Sequence, residues 1–343
     1  MAAAKKRINL ALQGGGALGA FTWGALDRLL EDERLEVAAL SGASAGAMNA
    51  VVLADGLANG GPEGARAALK RFWEEVARAG AASPYRRPAY KAMFGAFQPF
   101  ADAAHSAWGL WADLMTRVAS PYDLNPLNLN PLKEVIEGLI DFERVRACDI
   151  PIFVSATNVE TGRIKVWGRA ELSADHLMAS ACLPLFFQAV EIEGVPYWDG
   201  GFMGNPALFP LFETPEAPDI LIVQLNPIER KGAPKRAPDI IARINEITFN
   251  ASLLRELRAI EFVGRLVDEG RLDEARYRKV LVHVLGDDAG LAPFGGADLN
   301  SDLEFFHRLH ALGHRAATGW LKKHFDDLGA RASVDLRAMF EGE

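Results

Sequence analysis

Residues 7–46, RINLALQGGGALGAFTWGALDRLLEDERLEVAALSGASAG, decide the fold. A short apolar run at 7–12 suits a β-strand and is closed by glycines at 14–16. Phe21, Ala25, Leu26, Leu29 and Leu30 then recur at helical spacing, with Asp27, Arg28, Glu31 and Asp32 on the opposite face. A second apolar run, 36–40, ends in SGASAG at 41–46, and an Ala-rich helical stretch follows through Leu57. Two strand-turn-helix units in succession predict parallel strands covered by helices.

Outward from this start, residues 63–80 read as a charged amphipathic helix. Residues 84–131 differ: they are Pro-rich, lack alternating apolar runs and carry a band of aromatics, so they read as an irregular insertion with short helices. Asn130-Pro131 is a cap followed by a first-turn proline, and Leu132, Val135, Ile136, Leu139 and Ile140 mark one buried helix face. Further strands are expected at 151–157, 164–167, a hairpin at 189–198 turning at Glu193-Gly194, 220–225 and 280–285. The Pro- and Lys-rich segment 227–238 marks a boundary, beyond which the chain reads as mainly helical. The expected fold class is α/β, a central and mostly parallel sheet between helices. Residues 1–226 form its core and 227–343 a mainly helical C-terminal extension packed on it.

The 343 residues are 50% hydrophobic and 24% charged, which permits a large core and argues against a disordered or fibrous chain. Acidic residues outnumber basic ones 45 to 37, and a net charge of −8 gives no attraction to a polyphosphate backbone, so nucleic acid is not an expected partner. Two cysteines, Cys148 and Cys182, are too few for a disulfide framework and suit a reducing, cytoplasmic compartment. The apolar run behind the basic N-terminus is too short for a secretory signal, and the uncharged stretch 37–54 is interrupted by Ser41, Gly42, Ser44, Gly46 and Asn49. A soluble protein without a membrane span is expected.

Gly14-Gly15-Gly16-Ala17-Leu18-Gly19 matches G-x-G-x-x-G between a strand and a helix. By itself it suits a nucleotide phosphate as well as the oxyanion of ester hydrolysis, because backbone N–H groups at a helix start bind either. Gly42-Ala43-Ser44-Ala45-Gly46 is G-x-S-x-G, again between strand and helix. Small residues such as Gly42 and Gly46 let the chain turn sharply and hold the Ser44 hydroxyl outward as a nucleophile elbow. The bland alternative is a tight structural turn. A histidine base is available in principle at His283, His307, His310, His314 or His324. However, only one strand-helix unit precedes Ser44, fewer than an α/β-hydrolase builds before its elbow. The glycine loop is the evident oxyanion donor, and Asp199 in Trp198-Asp199-Gly200-Gly201 becomes a candidate base.

A glycine-rich loop, G-x-S-x-G and D-G-G in this order resemble the patatin-like phospholipases. Ala179-Ser180-Ala181-Cys182-Leu183-Pro184 and Asn205-Pro206 are also similar to that family, and the likeness spans roughly 7–225. The resemblance implies a serine lipid acyl hydrolase with a Ser-Asp dyad: Ser44 as nucleophile, Asp199 as base, and the amides of Gly14, Gly15 and Gly16 as oxyanion hole. It implies no metal or organic cofactor. The expected partner is a lipid or other acyl ester, with transient contact at a membrane surface. One departure stands out: many members carry Arg or Lys where this chain has Leu18. The alternatives are a soluble carboxylesterase or thioesterase on the same site, a nucleotide-binding protein using Gly14–Gly19, and a catalytically silent lipid-binding protein.

Two further features admit competing readings. His307, His310 and His314 share a helix face with Glu304 one turn before, which suits either a metal site or an ordinary polar face. No second cluster supplies missing ligands, which favours the polar face. Tyr85, Tyr90, Phe94, Phe97, Phe100, Trp108 and Trp111, interleaved with Arg86, Arg87 and Lys91, suit a lid or membrane contact, or equally a packed core or a dimer contact.

Overall fold

A computed structural model describes residues 5–82, 120–212, 214, 217–273, 276–294 and 300–342. The aromatic band at 85–111, with the lid expected there, lies outside the described residues.

The chain opens as the sequence predicts: β1 (Lys6–Leu12), α1 (Gly19–Leu30), β2 (Leu35–Ala43) and α2 (Ala45–Ala82). The two helices expected at 45–57 and 63–80 join end to end in α2, broken at Gly60 and Gly61; Gly61 has φ 60°, and Pro62 starts the second half. Then come α3 (Pro131–Leu139), α4 (Phe142–Ala147), β3 (Ile152–Asn158), β4 (Ile164–Gly168) and α5 (Ala174–Ser180). The Asn130 side chain accepts the Leu132 N–H, the cap anticipated before Pro131. A hairpin follows, β5 (Val190–Ile192) and β6 (Val195–Asp199), whose turn residues Glu193 and Gly194 both adopt positive φ. The chain continues through β7 (Asp219–Val223), α6 (Ala237–Asp268), β8 (Leu281–Leu285), α7 (Leu303–His324) and α8 (Leu336–Glu341).

Among the described residues, one sheet holds all eight strands in the order β5-β6-β3-β2-β1-β7-β8, with β4 also paired to β3. The β3-β2-β1-β7-β8 pairings are parallel, and the β4, β5 and β6 pairings are antiparallel. The fold is therefore α/β with a mixed, mostly parallel sheet. Its two faces bury separate apolar layers. Phe21, Leu26, Val51, Leu69 and Phe72 pack on one side with Phe306, Leu309 and Trp320 of α7. Leu253, Leu257 and Ile260 of α6 cover Ala11, Ile220 and Ile222 on the other.

The residues beyond 226 are built into this body. β8 extends the sheet in register with β7, from Asp219↔Leu281 to Val223↔Leu285. α7 crosses α1 at two glycines: a Cβ at Gly24 would lie 1.9 Å from the His310 carbonyl oxygen, and one at Gly313 would lie 1.9 Å from that of Phe21. Only glycine allows backbones this close. Among the described residues, no helix is long and apolar enough to cross a membrane.

Candidate active site

Register alone brings the distant motifs together. Leu12 pairs with Gly42 at the ends of parallel strands, so the glycine loop and the Ser44 turn leave the sheet side by side. Ala43 pairs with Ser155 of β3. The antiparallel β6 runs back along β3 and ends with Asp199 opposite Ala156, one residue from that partner of Ala43.

Ser44 turns the corner from β2 into α2 with φ 52°, a conformation seldom adopted by residues other than glycine. Its carbonyl accepts the Met48 N–H as the first bond of α2, and its own N–H donates to Ser180 Oγ at 2.9 Å. The turn requires glycine on both flanks. A Cβ at Gly46 would lie 2.1 Å from the Leu12 carbonyl oxygen, and one at Gly42 would lie 2.6 Å from the Ala47 nitrogen. Ser44 is buried, only 7% exposed.

Asp199 is fully buried. Its N–H donates to the Cys182 carbonyl at 2.9 Å, and its own carbonyl accepts the Thr157 hydroxyl at 2.8 Å. One carboxylate oxygen, Oδ1, accepts the Gly201 N–H at 2.7 Å. The other, Oδ2, is buried without a well-formed hydrogen bond. Burial pushes the carboxyl up to about 7, against the smaller lowering effects of the Gly201 N–H and the neighbouring Ser44 hydroxyl. The serine hydroxyl is near enough to lower the carboxyl, without a hydrogen bond of full geometry to it.

The glycine loop presses on the elbow: a Cβ at Gly14 would stand 2.7 Å from the Ser44 Cβ. Gly14 N–H is already engaged, donating to Asn205 Oδ1 at 2.6 Å. Gly16, with φ 54°, starts a single helical turn ahead of α1. The N–H groups of Gly15 and Gly16 have no partner among the described residues. Leu18, at the position where many members of the resembling family carry Arg or Lys, is buried in the core.

Behind the loop lies a set of buried amides that sequence reasoning did not single out. Gln13 Oε1 accepts the N–H groups of Leu225 and Asn226, while its Nε2 donates to the Asn205 carbonyl and to Asn250 Oδ1. Asn226 Nδ2 donates to the Gly14 carbonyl at 2.9 Å. Asn250, on α6, donates to the carbonyls of Asn226 and Pro227. The strand expected at 220–225 therefore stops at Val223, because residues 224–226 bend around Gln13. Also on α6, Phe249 packs edge-on to Phe202 beside Gly201. Asn205-Pro206, quoted from sequence only as a family likeness, was the one available pointer to this network.

The histidines weighed as bases or metal ligands are placed elsewhere. His283 Nε2 bonds Asp219 Oδ1 at 2.9 Å, at the end of β7 opposite the site. His310 bonds Asp27 at 3.0 Å and His314 bonds Glu31 at 3.3 Å, while His307 and His310 lie against Trp23. Asp27, Glu31 and His314 bring ligand-type atoms within 4.8 Å of one another, but Arg66 already donates to both carboxylates. The histidine face is thus a polar docking face for α1. Cys182 is buried with its thiol pushed up to about 12 by desolvation, so it is no nucleophile at neutral pH.

The sequence model of the patatin-like phospholipases matches residues 10–212, a span that includes the loop, the elbow and Asp199. The chain belongs to the patatin-like phospholipase family. That is a family of ester hydrolases, and membership makes this patatin-like protein an enzyme of the lipid acyl hydrolase kind. Among solved structures it is similar to VipD from Legionella pneumophila, at 14% sequence identity and a TM-score of 0.42, covering 93% of this chain and 67% of that one. No curated protein sequence matches it.

Proposed function

We propose that this patatin-like protein hydrolyses phospholipid acyl esters through an acyl-Ser44 intermediate, with Asp199 as general base. The observation that carries this reading is the buried, unpartnered Oδ2 of Asp199 beside a serine held in a strained turn. As Ser44 Oγ attacks the ester carbonyl carbon, its proton passes to Asp199 and the carbonyl oxygen takes up the charge. Collapse of the intermediate expels the alcohol, which recovers that proton. Water activated by the same carboxylate then releases the fatty acid. An ordinary aspartate near ~3.9 is a weak base for a hydroxyl; at about 7 it is stronger by about three orders of magnitude.

In the same proposal the free amides of Gly15 and Gly16 bind the oxyanion, and Gly14, clamped by Asn205, fixes the loop. Each such donor is worth roughly 3–4 kcal/mol in other acyl-transfer enzymes. Residues 1–226 are read as the catalytic core and 227–343 as a support woven into it through β8 and α7. Ser44→Ala and Asp199→Asn are each expected to lower phospholipid and soluble-ester hydrolysis by at least ~1000-fold with unchanged circular dichroism. Retention of most activity by Asp199→Asn would discredit the carboxylate base.

A further inference from the structure

α6 presents an outer face that is left exposed apart from its contact with α8. Its inward positions, among them Leu253, Leu257 and Ile260, fill the core. On the opposite side Ile240, Ile244, Ile247, Arg255, Arg258 and Phe262 follow one another at helical spacing, and all six are exposed. The stripe spans about 33 Å of helix. Its first turns are apolar, with Ile240, Ile244 and Ile247 at 40%, 55% and 55% exposure. An inside-out amphipathic helix of this kind leaves apolar area in water at a cost unless something covers it.

Charge identifies what covers it. The protein carries a net −8, yet no fully exposed residue between Ile240 and Phe262 is acidic. The acids of this span are turned inward or paired. Glu246 is held by Arg230 and Arg243, Glu256 accepts the N–H groups of Leu208 and Phe209, and Glu261 pairs with Arg265. Arg255 and Arg258 have no carboxylate partner among the described residues; Arg258 lies over the Phe340 ring. With Phe262 they line an open cleft of about 640 Å³ between α6 and α8, whose two acids, Glu261 and Glu341, are paired with Arg265 and Arg337 and leave Arg255 and Arg258 in excess. A stripe of isoleucines continued by arginines and phenylalanine, on an otherwise acidic protein, complements a surface of apolar chains beneath negative headgroups.

Its place in the fold fits that use. β7 is parallel to β1 and ends at the edge where Gly14 and Ser44 sit, and α6 starts from that edge. Two residues past Ile247, Phe249 touches the Asp199-Gly201 loop. The apolar half of the stripe therefore lies beside the active site and the basic half farther from it. We infer that the outer face of α6 docks the protein on an anionic lipid surface. This goes beyond the dyad reading and does not depend on it.

The test is vesicle co-sedimentation of the full chain with phosphatidylcholine alone and with a phosphatidylglycerol mixture, alongside hydrolysis of a short soluble ester. Wild type is expected to bind the anionic vesicles at least ~10-fold better than neutral ones and to release as salt rises. The Arg255→Glu/Arg258→Glu and Ile244→Asp/Ile247→Asp variants are each expected to weaken that binding at least ~10-fold. Soluble-ester turnover should stay within about twofold in both, which also shows that they fold. Anionic-vesicle binding unchanged in both variants, or wild type that prefers neither vesicle, overturns the inference. Displacement by millimolar inorganic phosphate would overturn it in favour of a phosphate pocket at Arg255 and Arg258. A wild-type dimer that the isoleucine variant dissociates, with vesicle binding intact, would overturn it in favour of a second copy. Loss of ester turnover in Ser44→Ala leaves vesicle binding untouched, so the two readings fail separately.

Discussion

The side-chain oxygen of Asn205 accepts the Gly14 N–H at 2.6 Å, and this contact pins the loop that lies against Ser44. The neighbouring Gly15 and Gly16 amides, without partners among the described residues, are the donors proposed for the oxyanion. The carbonyl side of Gly14 is held as well, by Asn226. A loop held at both peptides that flank Gly14 is preorganised, so under the proposed mechanism its donors need no rearrangement as the oxyanion forms.

Asn205→Ala should therefore release the loop without removing a reacting group. The expected outcome is a fall in kcat on the order of 10-fold, with KM for a soluble ester nearly unchanged. Rates should be taken per site titrated by a fluorophosphonate, so that lost folding is not counted as lost catalysis. A change confined to KM, or normal turnover per titrated site, would contradict this role.

The pH dependence has a definite sign. In the proposed mechanism the Asp199 carboxylate is the working form, so kcat/KM should climb as pH rises through about 7 and fall about tenfold per pH unit below it. Glu256 is also pushed up to about 7 by burial, but it caps the Leu208 and Phe209 N–H groups instead of facing Ser44. Glu256→Gln should accordingly keep the acidic limb. For stability the linkage runs the other way. The native state holds the Asp199 proton more tightly than the unfolded chain, so this contribution is full below ~3.9 and is lost as pH rises through about 7. Asp199→Asn should melt at or above wild type near pH 8 while being inactive; a clearly lower Tm there would contradict the burial penalty.

The helix crossing makes a stability prediction separate from catalysis. Gly313→Ala drives a methyl into the Phe21 carbonyl and should cost about 1–3 kcal/mol or more, seen as a Tm lowered on the order of 5 °C. Turnover measured well below Tm should remain near wild type. An unchanged Tm would show that α7 is not locked to α1 at this point.

Much of this was legible in the sequence because it is local. Strand, glycine turn and helix recur within 7–57, and Asp199 stands out for the two glycines behind it, one of which meets the Ser155 carbonyl where a Cβ would lie 2.2 Å away. The reversal of β6 along β3, which brings Asp199 within one residue of the register of Ala43, is a long-range pairing with no local signature. Gln13, Asn226 and Asn250 were invisible for another reason. A buried amide looks like a surface amide in sequence, and only folding shows that its partners are equally buried. The segment 227–343 reads as a helical extension packed on the core, with one strand expected at 280–285, because its helices are regular by themselves. Its place in the sheet depends on β8, five residues whose neighbour is strand β7.

The central claim is that Ser44 is a nucleophile activated by Asp199. Fluorophosphonate labelling followed by peptide mapping tests it most directly, because the reagent reports serine activation without any choice of lipid. The expected result is a single adduct on Ser44 in wild type, with a labelling rate at least ~100-fold lower in Asp199→Asn. Labelling at another serine, or a rate in Asp199→Asn equal to wild type, would contradict it.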